Sequence, residues 1–90
     1  MIKSFKHKGL ERFFRTGDKS GIQATHAKRL QLTLLNHAET PQQMDIAGWD
    51  FHSLSHDLKN HYAIKVNKNW RITFKIENGH AEVVDYQDYH

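Results

Sequence analysis

The chain has no cysteine, a single proline and no apolar run approaching the length of a membrane span. Without thiols there can be no disulfide, no thiolate metal site and no cysteine nucleophile, so chemistry falls to His, Asp, Glu, Lys, Arg, Tyr, Ser and Thr. The opening Met1-Ile2-Lys3-Ser4-Phe5 lacks the apolar core and cleavage site of a secretory signal, which leads to the expectation of a cytoplasmic protein with no membrane contact. Glycine-rich phosphate loops and a GxSxG elbow are also missing. His52, His56 and His61 approach metal-ligand spacing without completing a ligand set, so neither a metal nor another cofactor is expected.

What is present is the composition of an ordinary small globule. At 90 residues, 38% hydrophobic and 26% charged, the chain is expected to form one domain over 1–90 around a single core. Its net charge of +3 conceals a segregation into blocks. Residues 1–30 carry eight Lys/Arg against two acids and residues 59–77 carry five against one, whereas 31–58 and 78–90 hold only acids. Two basic blocks suit a polyanionic partner, since phosphate contacts supply most non-specific nucleic-acid affinity. The alternative is a lysine-rich surface that serves solubility alone.

Hydrophobic periodicity lays out the elements. Ile2 to Phe5 alternates and predicts a short edge strand with Lys3 facing water. From Lys8 to Thr16, Leu10, Phe13 and Phe14 fall at i, i+3 and i+4, a short amphipathic helix closed by Gly17. A second helix is expected from an N-cap at Thr25 to about Ala38, with Ala27, Leu30, Leu34 and Ala38 as its core stripe and Leu32 turned away. Thr40-Pro41 ends it. Residues 42–60 show no sustained period, with Met44, Ile46, Trp49, Phe51, Leu54 and Leu58 as expected anchors. His7, His26, His37 and His80 read as surface.

The last third alternates through three runs. Asn67-Lys68-Asn69 predicts a three-residue turn setting Ile64 against Ile72 and Lys65 against Arg71, and Asn78-Gly79 predicts a two-residue type I′ hairpin. In the absence of a bulge, that hairpin sets Lys75 against Glu82, Phe74 against Val83 and Arg71 against Tyr86. The expected fold is α+β, two N-terminal helices packed on a small twisted, mainly antiparallel sheet. The helices would cover Tyr62, Ile64, Val66, Trp70, Ile72, Phe74 and Val83, leaving Lys65, Arg71, Thr73, Lys75 and Tyr86 on the opposite face beside Asp88, Tyr89 and His90.

That face has groups suited to RNA cleavage. When a ribose 2′-hydroxyl attacks its own phosphate, the reaction needs a base, an acid and a cation for the developing charge. Histidine fits either proton role near neutrality, and arginine presents a planar fork to phosphate oxygens. A solvated arginine and a frayed terminal Asp-Tyr-His are the plainer readings.

Asn69-Trp70-Arg71-Ile72-Thr73-Phe74 and Val84-Asp85-Tyr86-Gln87-Asp88-Tyr89-His90 closely resemble the HigB toxins of bacterial type II toxin-antitoxin systems, in the RelE/ParE superfamily. So do the opening ten residues and Gly48-Trp49 before His52-Ser53-Leu54. The resemblance runs end to end. It implies the RelE/ParE-like fold, with a mixed sheet, and a metal-independent endoribonuclease that cuts mRNA in the ribosomal A site. It also implies a helix-turn-helix HigA antitoxin, through which alone the chain would reach operator DNA. Carried over by position, the catalytic residues are His52, Arg71, Asp88, Tyr89 and His90. Lys65, Lys68 and Lys75 are separately expected to hold RNA phosphates. Many relatives read His-Pro-Leu-Lys-Gly where this chain reads His52-Ser53-Leu54-Ser55-His56, so a lysine is lost that Lys59 or Lys68 would replace. A shifted alignment would put His56 in the place of His52. The rival functions on the same fold are a ParE-like inhibitor of DNA gyrase and a non-catalytic nucleic-acid-binding module.

Overall fold

The computed structural model describes residues 1–54 and 60–88. Among them are α1 (Lys8–Thr16), a 3-10 helix (Ala24–Arg29), α2 (Leu32–His37), a second 3-10 helix (Pro41–Met44) and strands β1 (His52–Ser53), β2 (Tyr62–Lys65), β3 (Trp70–Glu77) and β4 (His80–Asp88). The strands form an antiparallel sheet in chain order. Ile2 and Phe5 add parallel bridges to Ala81 and Val84 on the outer side of β4, so the sheet is mixed at that edge. The architecture is α+β.

α1 keeps its expected bounds because both ends are capped. His7 Nδ1 accepts from the Leu10 amide at 2.9 Å, and Gly17, at φ 81°, returns its amide to the Phe13 carbonyl. The expected helix from Thr25 to Ala38 is instead broken. Gln31 adopts φ 57°, ending the 3-10 segment and starting α2 on a new rotational register. Leu30, Leu32, Leu35 and Ala38 therefore form the buried set, while Leu34 is 43% exposed, reversing the expected roles of Leu32 and Leu34. The same departure from a straight helix turns His26 inward, where it is 4% exposed rather than on the surface.

The core face of the sheet supplies Ile64, Ile72, Phe74, Ala81, Val84 and Tyr86, against Leu10, Leu30, Leu32, Leu35 and Met44 from the helical layer. Each large apolar side chain buried there contributes about 1.5–3 kcal/mol. Met44 is anchored by a 3-10 turn whose Thr40 and Gln43 form a reciprocal capping box, whereas Ile46, an expected anchor, stays 42% exposed.

The Asn78-Gly79 hairpin forms with both residues at positive φ and pairs Lys75 with Glu82. A bulge then intervenes. Val83 lies at φ 54°, and beyond it the register is Thr73 with Asp85, Ile72 with Tyr86, Arg71 with Gln87 and Trp70 with Asp88. One extra residue on β4 moves every later side chain to the other face. Val84 takes the core position expected for Val83. Tyr86, expected on the open face, is buried under the helices with its ring stacked on Trp70 at 4.4 Å.

Candidate functional site

The open face of the sheet is organised around Arg71. The turn before β3 is tied by Asn67, whose Oδ1 accepts from the amides of Asn69 (3.1 Å) and Trp70 (3.0 Å). The Asn67 carbonyl in turn accepts from Arg71 Nη1 at 2.8 Å, and the Trp70 carbonyl accepts from the same nitrogen at 3.1 Å. Arg71 Nη2 lies 4.0 Å from Asp50 Oδ2, and the arginine side chain is 14% exposed. The guanidinium is thus held in place by backbone dipoles and, among other contacts, the Asp50 carboxylate.

His52 comes to this face through β1, a strand of two residues. Its partner is Ala63, which pairs in turn with Thr73. His52 and Arg71 therefore share a face, with Thr73 two strand spacings, about 10 Å, from His52. His52 Nδ1 lies 2.8 Å from the Asp50 carbonyl oxygen. A carbonyl only accepts, so Nδ1 carries the proton and the neutral ring has its lone pair on Nε2. Asp50 thereby touches both groups, His52 through its carbonyl and Arg71 through its carboxylate. It adopts φ 49°, a conformation that aspartate tolerates better than most residues.

Lys65 faces Arg71 across the β2–β3 ladder, and both Lys65 and Lys68 are exposed. Lys75 is differently engaged: its Nζ meets Glu77 Oε1 at 2.9 Å, and that hydrogen bond raises the lysine pKa and lowers the glutamate's. Gln87, the neighbour of Arg71 on β4, reaches Asp85 Oδ2 at 2.9 Å and Thr73 Oγ1 at 3.4 Å. Asp88 is exposed at the end of β4, opposite Trp70 rather than Arg71. Lys59, Tyr89, His90 and the alternative His56 lie outside the described residues.

Behind the site runs a buried polar chain that periodicity could not reveal. Because Asn67 Oδ1 is taken by two amides, the atom against His26 Nε2, at 2.7 Å, is the amide nitrogen of Asn67. That nitrogen donates, so Nε2 accepts and the His26 proton sits on Nδ1, which donates to the Tyr86 hydroxyl at 2.5 Å. Burial, helped by the nearby Arg29 charge, lowers the His26 pKa, and burial raises that of Tyr86. A neutral histidine thus links the core tyrosine to the turn that holds Arg71.

Over residues 3–90 the chain matches the family model described as HigB-like toxin, the RelE-like toxin of type II toxin-antitoxin system HigB. The chain belongs to the HigB-like toxin family. It is also 39% identical over 92 residues, spanning the whole of both chains, to a protein of Proteus vulgaris named Endoribonuclease HigB. The family resemblance read from the Trp70-to-Phe74 strand and the Asp88-Tyr89-His90 terminus is therefore shown. To the expected site residues the geometry adds Asp50, which carried no sequence signal, and Asn67, which the sequence marked only as part of a turn; each meets its neighbour in part through its main-chain carbonyl, a group that every residue has.

Proposed function

We propose that this chain is an endoribonuclease toxin that cuts mRNA in the ribosomal A site, by attack of a ribose 2′-hydroxyl on its own phosphate. The observation that carries the reading is the pairing of His52 and Arg71 through Asp50 on one face of the sheet. His52 Nε2 removes the 2′-proton as O2′ bonds to phosphorus. Arg71 neutralises the charge gathering on the phosphoryl oxygens. The bond from phosphorus to O5′ breaks, and His90 gives O5′ its proton, leaving a 2′,3′-cyclic phosphate and a 5′-hydroxyl. Tyr89 stacks on or positions a nucleotide, and Asp88 orients a neighbouring group. This chemistry needs no bound metal. Lys65 and Lys68 hold flanking phosphates, with Lys59 as a further cation; Lys75, tied to Glu77, is given to the hairpin rather than to RNA. The full-length likeness to Endoribonuclease HigB supports the nuclease reading.

The family's place in type II toxin-antitoxin systems supports an antitoxin partner, for which we take a HigA-type helix-turn-helix protein acting in the cytoplasm. Primer extension on translating ribosomes tests the proposal, with wild type beside His52→Ala, Arg71→Ala and His90→Ala. Cleavage is expected to fall at least about 100-fold in each variant. Persistent cleavage by both Arg71→Ala and His90→Ala would overturn the assignment.

A further inference from the structure

Between the 3-10 helix, the loop before β1 and the β2–β3 turn lies a cavity of about 570 Å³, lined among others by Arg29, Gln31, Trp49, Lys65, Asn67 and Lys68. Three of these carry positive charge, Arg29 from the 3-10 helix and Lys65 and Lys68 from the end of β2 and the turn after it, and among the described residues no acid lines the cavity. Several cations elsewhere are matched, Arg12 with Asp18, Arg15 with Glu11 and Lys75 with Glu77. Among the described residues Arg29, Lys65 and Lys68 form no ion pair. Three like charges around one hollow repel each other, and an anion between them relieves that repulsion.

The cavity is continuous with the candidate site. Lys65 stands opposite Arg71 in the ladder, and Asn67, which forms part of the cavity wall, accepts the Arg71 guanidinium on its carbonyl. Directly opposite residues have Cβ atoms about 5 Å apart. An RNA strand with its reacting phosphate at Arg71 would therefore continue into the cavity within about one nucleotide. Trp49, whose carbonyl is fixed by the Lys65 amide at 2.6 Å, gives one wall an aromatic surface suited to a base.

We propose that this cavity is a binding subsite for the neighbouring nucleotide of single-stranded RNA, with its phosphate held by Arg29, Lys65 and Lys68. The subsite rests on the ribonuclease reading and extends it to Arg29, which nothing in the sequence pattern singled out, and to Trp49, which the sequence marked only as an anchor and as part of the family resemblance. Its ligand is the RNA substrate rather than a protein partner, because the lining combines uncompensated cations with an aromatic wall beside the arginine assigned to the reacting phosphate.

The test is a fluorescence-anisotropy titration of the intact protein with a single-stranded RNA, made uncleavable by 2′-methoxy groups, over a range of salt concentrations. Wild type is compared with Arg29→Gln, Lys68→Gln and their double variant, and with Lys19→Gln, an exposed cation remote from the cavity, as control. Arg29 and Lys68 are themselves exposed, and unchanged unfolding midpoints will show that the variants fold. A phosphate contact on single strands contributes about 0.7 to the slope of log affinity against log salt, so the double variant is expected to lose about that much slope and about 10-fold in affinity. Trp49→Ala is expected to weaken binding at every salt concentration with the slope preserved. Equal affinity and slope in the double variant and the control would overturn the subsite and leave the ribonuclease reading standing. Wild type that neither binds RNA nor cleaves on ribosomes would overturn both. Normal RNA binding by the variants together with loss of the antitoxin complex would reassign the cavity to a protein partner and refute the proposal.

Discussion

Asn67 holds Arg71: its carbonyl accepts the guanidinium at 2.8 Å while its side chain ties the turn on one side and His26 on the other. The position of the candidate catalytic cation is therefore set by a turn, and the turn is set by a single amide. Replacing that amide leaves the carbonyl in place but removes the constraint on where it points.

Asn67→Ala should therefore lower RNA cleavage by about 10- to 100-fold, the size expected when a reacting group is misplaced by about 1 Å. Stability should fall by about 1–3 kcal/mol, because His26 Nε2 and two turn amides lose their partner. Single-turnover cleavage read beside urea unfolding separates the two effects. Cleavage at the wild-type rate in a folded Asn67→Ala protein would show that Arg71 needs no such support.

Asp50 makes a different prediction because it acts through two groups. Asp50→Asn keeps the carbonyl that fixes the His52 proton on Nδ1 and removes the carboxylate 4.0 Å from Arg71. The pair is largely solvated, Asp50 being 63% exposed, so stability should change by less than about 0.5 kcal/mol. Single-turnover cleavage should drop several-fold. Cleavage at the wild-type rate would show that Arg71 does not need the carboxylate.

His26 ties stability to pH. Its pKa is lowered in the folded chain, chiefly by burial and secondarily by Arg29, so the unfolded chain binds the extra proton more readily. The stabilising contribution is fully present above the unfolded value of about 6.5 and is lost as pH falls from there through the lowered folded value. The groups facing it are Tyr86 and Asn67, with Trp70 packed against its ring and Arg29 nearby, and none of these changes charge between pH 5 and 7. Urea midpoints should fall between pH 7 and pH 5 in wild type more than in His26→Gln. Equal pH slopes in the two proteins would remove His26 from that role.

Two glycines meet where α1 starts. A Cβ on Gly9 would sit 2.5 Å from the Gly21 carbonyl oxygen and 2.8 Å from its Cα, both rigid backbone atoms. Alanine in a helix normally gains about 1 kcal/mol over glycine. Here the close approach should offset that gain, and Gly9→Ala should cost up to about 2 kcal/mol net, since forced overpacking costs about 1–3 kcal/mol. For a chain of this size that lowers the thermal midpoint by up to roughly 16 °C. A stabilised Gly9→Ala would show that the Gly21 loop yields freely.

Much of the fold was legible where one physical signal dominated. α1, β2 and β3 follow from period, and the two turns follow from Asn67-Lys68-Asn69 and Asn78-Gly79. What escaped has specific causes. Gln31 at φ 57° is a residue with no marked preference for that conformation, so the break in the second helix left no trace in sequence. β1, with two residues, is shorter than any period can register, and it is the element that brings His52 to the open face. The bulge fell on Val83-Val84, two apolar residues in a row, where alternation cannot say which one faces the core. The family resemblance named His52 and Arg71 but carried no geometry for Asp50 or Asn67.

The bulge is itself testable, because a β-branched residue at φ 54° stores strain of about 1–3 kcal/mol. Ser4 offsets it: its Oγ accepts from the Val83 amide at 2.8 Å and its carbonyl accepts from Val84 at 3.1 Å. Val83→Gly should be within about 1 kcal/mol of wild type, since relief of strain counters the lost side chain. Val84→Ala, at the fully buried neighbour, should cost about 2 kcal/mol, and Ser4→Ala about 1–2 kcal/mol for the orphaned amide. Urea unfolding of the three variants gives the ranking. A Val83→Gly protein as unstable as Val84→Ala would mean that the strand is not strained at Val83, and that the register carrying Gln87 to Arg71 is held by the later pairs of the ladder instead.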